Sequence, residues 1–293
     1  MNESFEEFLY LNKLYGLDEL VQAGGGNISI KHAVNSNTII IKSSGFNFHD
    51  VTQHDGFAIL KLINYDELIN CNYDLTNLII SGKNPSIETY FHLFLKKYTV
   101  HLHPTLINIY MCSNRELPIL NTPYVIIDYF KPGVNLSNEI YKKYNGENII
   151  FLKNHGVVFT SDNLDELKQL IYECYNKFID NSNTQHIFTD LQSYEELIKL
   201  YPNKILLKLT TQYKKQNIVA YTPDIVVYLN DSIIEYNNDV YIASVSKYKC
   251  YQILEVLNSY NCIHNNQCNL VLSCEQQHEL LNWDREKIRI NKL

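Results

Sequence analysis

Short apolar stretches, separated by glycine, asparagine and aspartate, place the strongest limit on how this chain can fold. Three of them occur near the start, at positions 28–31, 38–42 and 57–62. Short apolar or alternating runs that are bounded by turn-forming residues predict β-strands. The N-terminal part of the chain is therefore expected to be rich in strands.

Segments with helical spacing occur before and between these strands. A capping box at Ser4 and a stop at Gly16 predict the first helix. A proline in the first turn and apolar residues at helical spacing predict a second helix over 84–97. Further helices are predicted over 106–112, 136–144 and 164–178, and further strands over 99–103, 124–129 and 148–158. This order predicts a mixed α/β layout.

A polar segment between positions 180 and 192 lacks periodicity, which is typical of a connector. We therefore predict a first domain over 1–182 and a second over 192–293. The predicted elements of the second domain are helices over 194–201 and 247–257 and strands over 225–229, 240–243 and 270–272. The second domain is expected to be a smaller α/β lobe without an active site of its own.

Charge and composition exclude several classes of protein. The 293 residues include 25 Lys and Arg against 32 Asp and Glu, and no basic run could follow a phosphate backbone, which argues against nucleic acid as a partner. No apolar run reaches the ~18 residues of a membrane span, and the acidic N-terminus has the wrong charge for a secretory signal. We expect a cytoplasmic protein that binds no membrane. Its seven scattered cysteines are expected to be reduced thiols.

Two histidines separated by one residue give the sharpest indication of chemistry. His101 and His103 lie on a predicted strand, where alternate side chains point the same way and can bind one metal ion. His155, also in a predicted strand, is a candidate third ligand, and Glu88 is a candidate fourth ligand or proton-transfer group. Three histidines and a carboxylate are typical of zinc sites. An isolated pair of this kind is more often a pair of packed core histidines, so the rest of the pattern decides.

A glycine-rich turn suggests an anion site. Glycines 24–26 precede Asn27, and such turns let backbone N–H groups point into one concavity. Ser44 and Gly45 end the next predicted strand, and Ser86 begins the predicted helix over 84–97. Asn27, Ser44, Gly45 and Ser86 would together form a phosphate cradle. Taken alone, the turn is equally compatible with a plain hairpin.

Two other groups of residues are alternative candidates for metal binding. His92 lies one helical turn after Glu88, where we favour packing behind the metal over coordination. Cysteines and histidines also recur near the C-terminus, at Cys262, His264, Cys268, Cys274 and His278. Their spacing does not match a regular structural zinc site, so that interpretation is disfavoured.

Five motifs occur in the order and approximate spacing of a known family. They are Gly-Gly-Asn-Ile-Ser at 25–29, Lys-Ser-Ser-Gly at 42–45, Pro-Ser-Ile-Glu-Thr at 85–89, His-Leu-His-Pro at 101–104 and Asn-His-Gly at 154–156. With them the chain resembles the class II aldolase/adducin family, and within it the aldolase portion of the bifunctional rhamnulose-1-phosphate aldolase/short-chain dehydrogenases. Weaker similarities follow at 129–133, 221–224 and 283–287. No GxGxxG follows a predicted strand, so we expect no dehydrogenase activity.

The resemblance implies a class II aldolase-like fold, a mixed β-sheet flanked by helices. It also implies a zinc-dependent enzyme that reversibly cleaves a ketose 1-phosphate into dihydroxyacetone phosphate and an aldehyde. His101, His103 and His155 would bind Zn²⁺ or another divalent metal, and Glu88 would be the catalytic acid/base. The expected partners are a small-molecule sugar phosphate and further copies of the chain, in a homo-oligomer that is a tetramer by family resemblance.

The resemblance leaves the reaction open. Decarboxylases, a dehydratase and epimerases share this fold and its three histidines, so the motif fixes metal chemistry at a carbonyl more firmly than it fixes the reaction. Ile87 stands where many members have a second serine, which removes one phosphate hydroxyl. A second proton donor is expected from a Tyr or Glu of a neighbouring subunit, with Tyr124 and Tyr129 as candidates. A non-catalytic scaffold like the adducin head is the alternative of a different class.

Overall fold

The computed structural model describes residues 3–32, 37–179, 192–193, 204–209, 218–236 and 239–283. The chain divides into two units. One comprises Met1–Met111 with Arg115–Asn181, and the other comprises Cys112–Asn114 with Ser182–Leu293. The three residues Cys112–Asn114 therefore belong to the second unit, although residues of the first flank them in the sequence.

One large sheet forms the centre of the first unit. Its strands are β1 (Asn27–Lys31), β2 (Thr38–Lys42), β3 (Phe57–Lys61), β4 (Ile79–Gly82), β5 (Tyr98–Leu102), β6 (Tyr124–Ile127), β7 (Ile149–Leu152) and β8 (Gly156–Ser161). They lie in the order β4-β3-β2-β1-β5-β8-β7-β6. All neighbours are antiparallel except β6 and β7, which are parallel. The predicted mixed sheet is confirmed.

Six helices accompany this sheet in the described part of the first unit. They are α1 (Glu3–Tyr15), α2 (Tyr65–Asn70), α3 (Thr89–His92), α4 (Thr105–Met111), α5 (Val134–Lys143) and α6 (Leu164–Ile179). In α6 the buried residues Leu167, Ile171, Cys174 and Phe178 recur every three or four positions, which gives one apolar face.

The short helix α3 lies where two apolar clusters meet. Tyr90 packs in a cluster with Ile39, Ile41 and side chains of β3 and α2. Phe91 packs in a second cluster that includes Leu136 and residues of β7 and β8. Adjacent residues of one turn are thus fixed in different clusters, and this holds the start of α3 firmly in place.

The second unit contains a smaller sheet. Its strands are β9 (Gln192–Ser193), β10 (Ile205–Lys208), β11 (Ile233–Tyr236) and β12 (Asp239–Ser244), in the antiparallel order β11-β12-β10-β9. Its described helices are α7 (Pro223–Leu229), α8 (Lys247–Asn265) and α9 (Cys274–Leu281).

Two predicted elements of the first unit are wrong in a way that matters for the site. The helix predicted over 84–97 is a single turn, α3, because Pro85 forms a bridge with Ser43 and Ser86 N–H donates to Lys42 O. These contacts keep 85–86 extended beside the end of β2. The strand predicted over 148–158 is the hairpin of β7 and β8, with Leu152 opposite Gly156. His155 therefore lies in a turn and not in a strand.

Two predicted strands of the second unit are also wrong. Residues 225–229 belong to helix α7, whose N-terminus is capped by the Thr222 side chain and has Pro223 in its first turn. The cap and the proline favour a helix. Residues 270–272 form no strand, and instead Leu270 N–H donates to Cys112 O and Leu272 N–H donates to Ala220 O.

Some predictions fall on residues outside the described chain. They are the helix over 194–201, the connector apart from its last residue, and the end of the similarity at 283–287. Among the helices that the structure describes, none has both the length and the apolar character needed to cross a membrane.

Candidate metal centre

The central strand β5 presents the first two candidate ligands. It pairs with β1 on one side and with β8 on the other, which buries His101 completely. His103 follows the strand, and its backbone N–H donates to Leu20 O at 3.0 Å. The alternation expected for a strand brings the two rings to the same side, where their Nε2 atoms lie 3.0 Å apart.

The hairpin between β7 and β8 delivers the third imidazole. Asn154 adopts a left-handed conformation, with φ of 55°, and this lets the chain turn within three residues. Gly156 follows, and a Cβ atom there would lie 2.3 Å from Leu102 O and 2.9 Å from His103 Cδ2. Only glycine allows so close an approach, so this position determines how near the His155 ring comes to the other two.

Glu88 completes the group from the segment before α3. Its Oε2 atom lies 3.3 Å from His101 Nε2, and its Oε1 atom lies 3.4 Å from His155 Nε2. One ligand atom from each of Glu88, His101, His103 and His155 lies within 4.8 Å of the others, and all four residues are buried. The structure thus brings together all four residues for which metal or acid/base roles were predicted.

Hydrogen bonding determines which nitrogen of His101 faces the group. His101 Nδ1 donates to Val157 O at 3.0 Å, because a carbonyl only accepts. Nε2 is therefore the nitrogen that faces the Glu88 carboxylate and His103 Nε2. The buried carboxylate needs positive charge beside it, which protonated imidazoles or a metal ion can supply, and imidazole nitrogens with a carboxylate oxygen are ligands of zinc. The residues therefore fit a divalent metal.

The Glu88 carboxyl is ionised. Burial by itself raises the pKa of Glu88, but electrostatic attraction by the His101 and His155 rings outweighs burial and holds the pKa below its usual value. Among the described residues, no hydrogen bond reaches Glu88 Oε1, whereas Oε2 accepts one from Asn27 Nδ2 at 2.9 Å. The two oxygens of one carboxylate thus have different surroundings.

Comparison with known families adds a second, independent observation. The sequence profile of the Class II Aldolase and Adducin N-terminal domain matches residues 6–177. The chain belongs to this family. The resemblance inferred from the five motifs is confirmed at family level, while the narrower likeness to the rhamnulose-1-phosphate enzymes stays a prediction. No curated protein sequence matches the chain.

The chain is similar to several solved structures. The N-terminal class II aldolase domain of a conserved protein from Thermoplasma acidophilum is 25% identical, with a TM-score of 0.52, and the match covers 61% of this chain and 94% of that one. An L-fuculose 1-phosphate aldolase is 19% identical, with a TM-score of 0.48, and covers 61% and 85%. YgbL from Escherichia coli, named for aldolase, epimerase or decarboxylase activity, is 18% identical, with a TM-score of 0.48, and covers 60% and 86%.

In this class II aldolase/adducin chain, His92 contacts other polar groups and not the metal centre. Its Nδ1 atom lies 2.7 Å from Ser29 Oγ, and its Nε2 atom bonds Asn27 Oδ1. Burial, reinforced by the charge of His101, lowers the pKa of His92 well below its usual value, so the ring is neutral. Both nitrogens are engaged, which leaves none for a metal. These contacts agree with the expectation that His92 packs behind the metal.

The four predicted phosphate-binding positions lie in neighbouring segments of the aldolase domain. Asn27 donates its two amide hydrogens to Ser86 Oγ, at 3.0 Å, and to Glu88 Oε2. Ser44 N–H donates to Asn84 O at 3.1 Å, so the exposed turn that contains Gly45 borders the segment that contains Ser86. The contacts of Asn27 and Ser29 with the His92 ring were not predicted, although alternation along β1 places both side chains on one side of the strand.

The C-terminal cysteines and histidines do not assemble into a metal site. His264 Nδ1 lies 3.0 Å from Tyr221 OH, and Cys262, Cys268 and Cys274 form no disulfide. Within the described ranges, no group of three or more Cys, His, Asp or Glu ligands forms apart from the one around Glu88. The seven cysteines all lie in the described ranges, and none of them forms a disulfide. Of the two candidate proton donors, Tyr124 packs edge-on against Phe151, and a proton-donating role for either tyrosine stays a prediction.

Proposed function

We propose that this chain is a metal-dependent aldehyde-lyase that reversibly cleaves a ketose 1-phosphate, of the rhamnulose-1-phosphate type, to dihydroxyacetone phosphate and an aldehyde. The proposal rests on one observation, which is that the Glu88 carboxylate and the Nε2 atoms of three imidazoles form a buried cluster. Family membership supports the reaction class. Zn²⁺ is the proposed metal, since three histidines and a carboxylate suit it.

His101, His103 and His155 are the proposed metal ligands. A divalent metal held by them would act as a Lewis acid on the carbonyl and hydroxyl oxygens of the substrate. The hydrogen bond from His101 Nδ1 to Val157 O fixes the tautomer of that ring, so that Nε2 would be the nitrogen that binds the metal. A fixed tautomer is what a metal-ligating histidine requires.

Glu88 is the proposed acid/base. In aldol cleavage a proton leaves the hydroxyl group next to the breaking carbon–carbon bond, the bonding electrons remain with the ketone half, and that half then gains a proton at carbon. We assign the proton carried by Glu88 to Oε1, because Oε2 already accepts the Asn27 hydrogen bond. The Glu88 carboxylate is ionised and lies beside the imidazoles that would hold the metal, so it can accept the proton that leaves the hydroxyl group.

The phosphate group is assigned to Ser44, Gly45 and Ser86. Ser86 Oγ accepts from Asn27 Nδ2 and from Glu88 N–H, so its own hydroxyl hydrogen points elsewhere and can be donated to an anion. The amide hydrogens of Asn27 are already committed, and we therefore propose that Asn27 contributes by orienting Ser86. We also propose a homo-oligomer, on the basis of family resemblance, and a cytoplasmic location, on the basis of the charge and hydropathy of the sequence.

A non-catalytic scaffold is a weaker alternative. A scaffold gains nothing from burying a carboxylate beside three imidazoles, because burial of charged groups is costly unless they are paired or bind a metal. Elemental analysis of the purified protein distinguishes the two functions. About one divalent ion per chain supports the enzyme, whereas a folded protein that neither contains nor takes up a divalent metal would support the scaffold.

A panel of ketose 1-phosphates, assayed for release of dihydroxyacetone phosphate, tests the reaction. Phosphoglycolohydroxamate, which mimics the phosphate-bearing enediolate, tests the phosphate assignment against unphosphorylated glycolohydroxamate. The phosphorylated compound should inhibit far more strongly. Equal inhibition by both would remove the phosphate site and favour a decarboxylase, dehydratase or epimerase acting on an unphosphorylated sugar.

A further inference from the structure

We propose that His92 is a positioning residue which, acting through Asn27, fixes the orientation of the Glu88 carboxylate. Neither His92 nor Asn27 touches the reacting atoms in the proposed mechanism. The proposal rests on the proposed function for the task of Glu88, while the contacts that carry it are independent of any substrate.

Strand alternation creates the contacts. Asn27 and Ser29 are two positions apart on β1, so their side chains leave the strand on the same side. The His92 ring lies against both, with Nδ1 2.7 Å from Ser29 Oγ and Nε2 bonded to Asn27 Oδ1. The strand register places Asn27 directly opposite His101. One end of this hydrogen-bonded chain therefore borders the metal centre.

The direction of each hydrogen bond follows from the chemistry of its partners. A carboxylate only accepts, so the Asn27 group that faces Glu88 Oε2 must be the NH₂ group. Asn27 Oδ1 consequently faces His92, which places the ring hydrogen on Nε2. Nδ1 is then an acceptor and receives the hydroxyl hydrogen of Ser29. The donors thus run in one direction, from Ser29 through His92 and Asn27 to Glu88.

Burial makes this chain of hydrogen bonds hard to replace. Ser29 and His92 are fully buried, Asn27 is 1% exposed and Glu88 is 4% exposed. Because water has so little access, loss of one partner leaves another polar group unsatisfied. Without the His92 donor, the buried Oδ1 atom of Asn27 is left unsatisfied, and only the bonds of its NH₂ group to Ser86 and Glu88 hold the amide.

The consequence concerns which carboxylate oxygen reacts. In the observed orientation Asn27 holds Oε2, and Oε1 accepts no hydrogen bond from the described residues. An Asn27 amide that moves to find a new partner for Oδ1 would weaken its bond to Oε2, and the carboxylate could then rotate. We therefore expect loss of His92 to lower turnover more than substrate binding.

Three variants test this inference. His92→Phe keeps a ring of similar size but removes both nitrogens, and His92→Gln retains an N–H donor near the position of Nε2. Thr99→Val is the matched control, since Thr99 is equally buried in the neighbouring strand but its hydroxyl bonds Lys96 O and Thr160 Oγ1. We expect His92→Phe to lower kcat by roughly 10–100-fold, as is usual for loss of an outer hydrogen-bonding partner of a metal site. KM should change little, and His92→Gln should restore most of the turnover.

A readout without substrate separates this proposal from the proposed function. In the Co²⁺-loaded protein, the visible spectrum and the Co²⁺ affinity should change in His92→Phe and remain close to the parent values in His92→Gln and Thr99→Val. If the parent cleaves no ketose 1-phosphate but His92→Phe still alters the spectrum, the proposed function fails and the positioning role stands. Equal kcat values and equal spectra for His92→Phe and Thr99→Val overturn the positioning role, and a parent protein that binds no Co²⁺ overturns both proposals.

Discussion

Different contacts hold the Glu88 carboxylate and the imidazoles around it. Substitutions of the carboxylate and of the imidazoles are therefore expected to have different effects. The His101 ring is oriented by Val157 O, while Glu88 is oriented by Asn27 through Oε2 alone. Removal of an imidazole takes away a metal ligand. Removal of the Glu88 charge takes away the group that carries the proton.

Glu88→Gln should leave the metal largely bound while lowering turnover by roughly 10²–10⁴-fold, the usual contribution of a positioned acid/base. Glutamine preserves the volume and one oxygen but cannot carry the proton. The measurement is kcat on a cleaved ketose 1-phosphate, with metal content determined on the same sample. Near-normal turnover would assign the proton transfer to another residue.

His101→Ala and His155→Ala should each lose metal and activity together, because a site with few ligands tolerates no deletion. Metal content per chain and kcat should fall in parallel. His49→Ala is the control, since the His49 side chain is 52% exposed and pairs with Asp50. A histidine variant that stays inactive while retaining a full complement of metal would contradict the assignment of that residue as a ligand.

Prediction from the sequence was successful at this scale where strand geometry alone decides, and it failed where side-chain orientation decides. The period of two along a strand was sufficient to place His101 and His103 on one side. The contacts of His92 could not be predicted, because they depend on which Asn27 atom faces Glu88, and that in turn depends on the position of a residue 61 positions away.

At the scale of elements, the hairpin of β7 and β8 determines the position of His155, because its tight packing leaves no room for adjustment. The chain reverses over three residues, and β8 lies so close to β5 that a Cβ atom at Gly156 would meet Leu102 O and the His103 ring. The position of His155 therefore depends on a residue with no side chain.

Gly156→Ala should displace the hairpin, because its Cβ would lie 2.3 Å from a backbone oxygen. We expect metal affinity to fall at least about tenfold and stability to fall by roughly 1–3 kcal/mol, as for other overpacked positions. Competition with a chromophoric chelator and urea denaturation measure the two effects.

Gly146→Ala is the control. The backbone angle φ there is +97°, so the substitution introduces backbone strain, but its Cβ would meet no atom within 4 Å. Metal affinity should therefore be unchanged. Parent-like affinity in Gly156→Ala would show that the close approach is not needed.

Elements were predictable where a local signal agreed with the tertiary contacts. Helix α6 and strands β1 to β3 follow their own periodicity. The segment 84–97 has equally good helical spacing, yet the bridge between Ser43 and Pro85 holds its start extended. That bridge joins segments far apart in sequence, so no local pattern could have indicated it.

At the scale of the whole molecule, metal binding should increase stability. A ligand that binds only the folded state at 100 times its dissociation constant adds about 2.7 kcal/mol, which raises Tm by roughly 5–10 °C for a unit of this size. Calorimetry with added Zn²⁺ and with a chelator measures the difference. His101→Ala should show no gain, and an identical Tm for the parent with and without metal would argue against a metal site.

The order in which the ligands occur along the chain has a kinetic consequence. Glu88 precedes His101, which lies in β5, and His103, which follows that strand. His155 comes only after α4, β6, α5 and β7. The binding site therefore exists only once β8 has paired with β5, which requires closure of a long loop. Interactions that form after the transition state slow unfolding without accelerating folding. In stopped-flow denaturant experiments, bound metal should lower the unfolding rate and leave the refolding rate unchanged, so that the ion acts as a late cross-link that extends the lifetime of the folded chain.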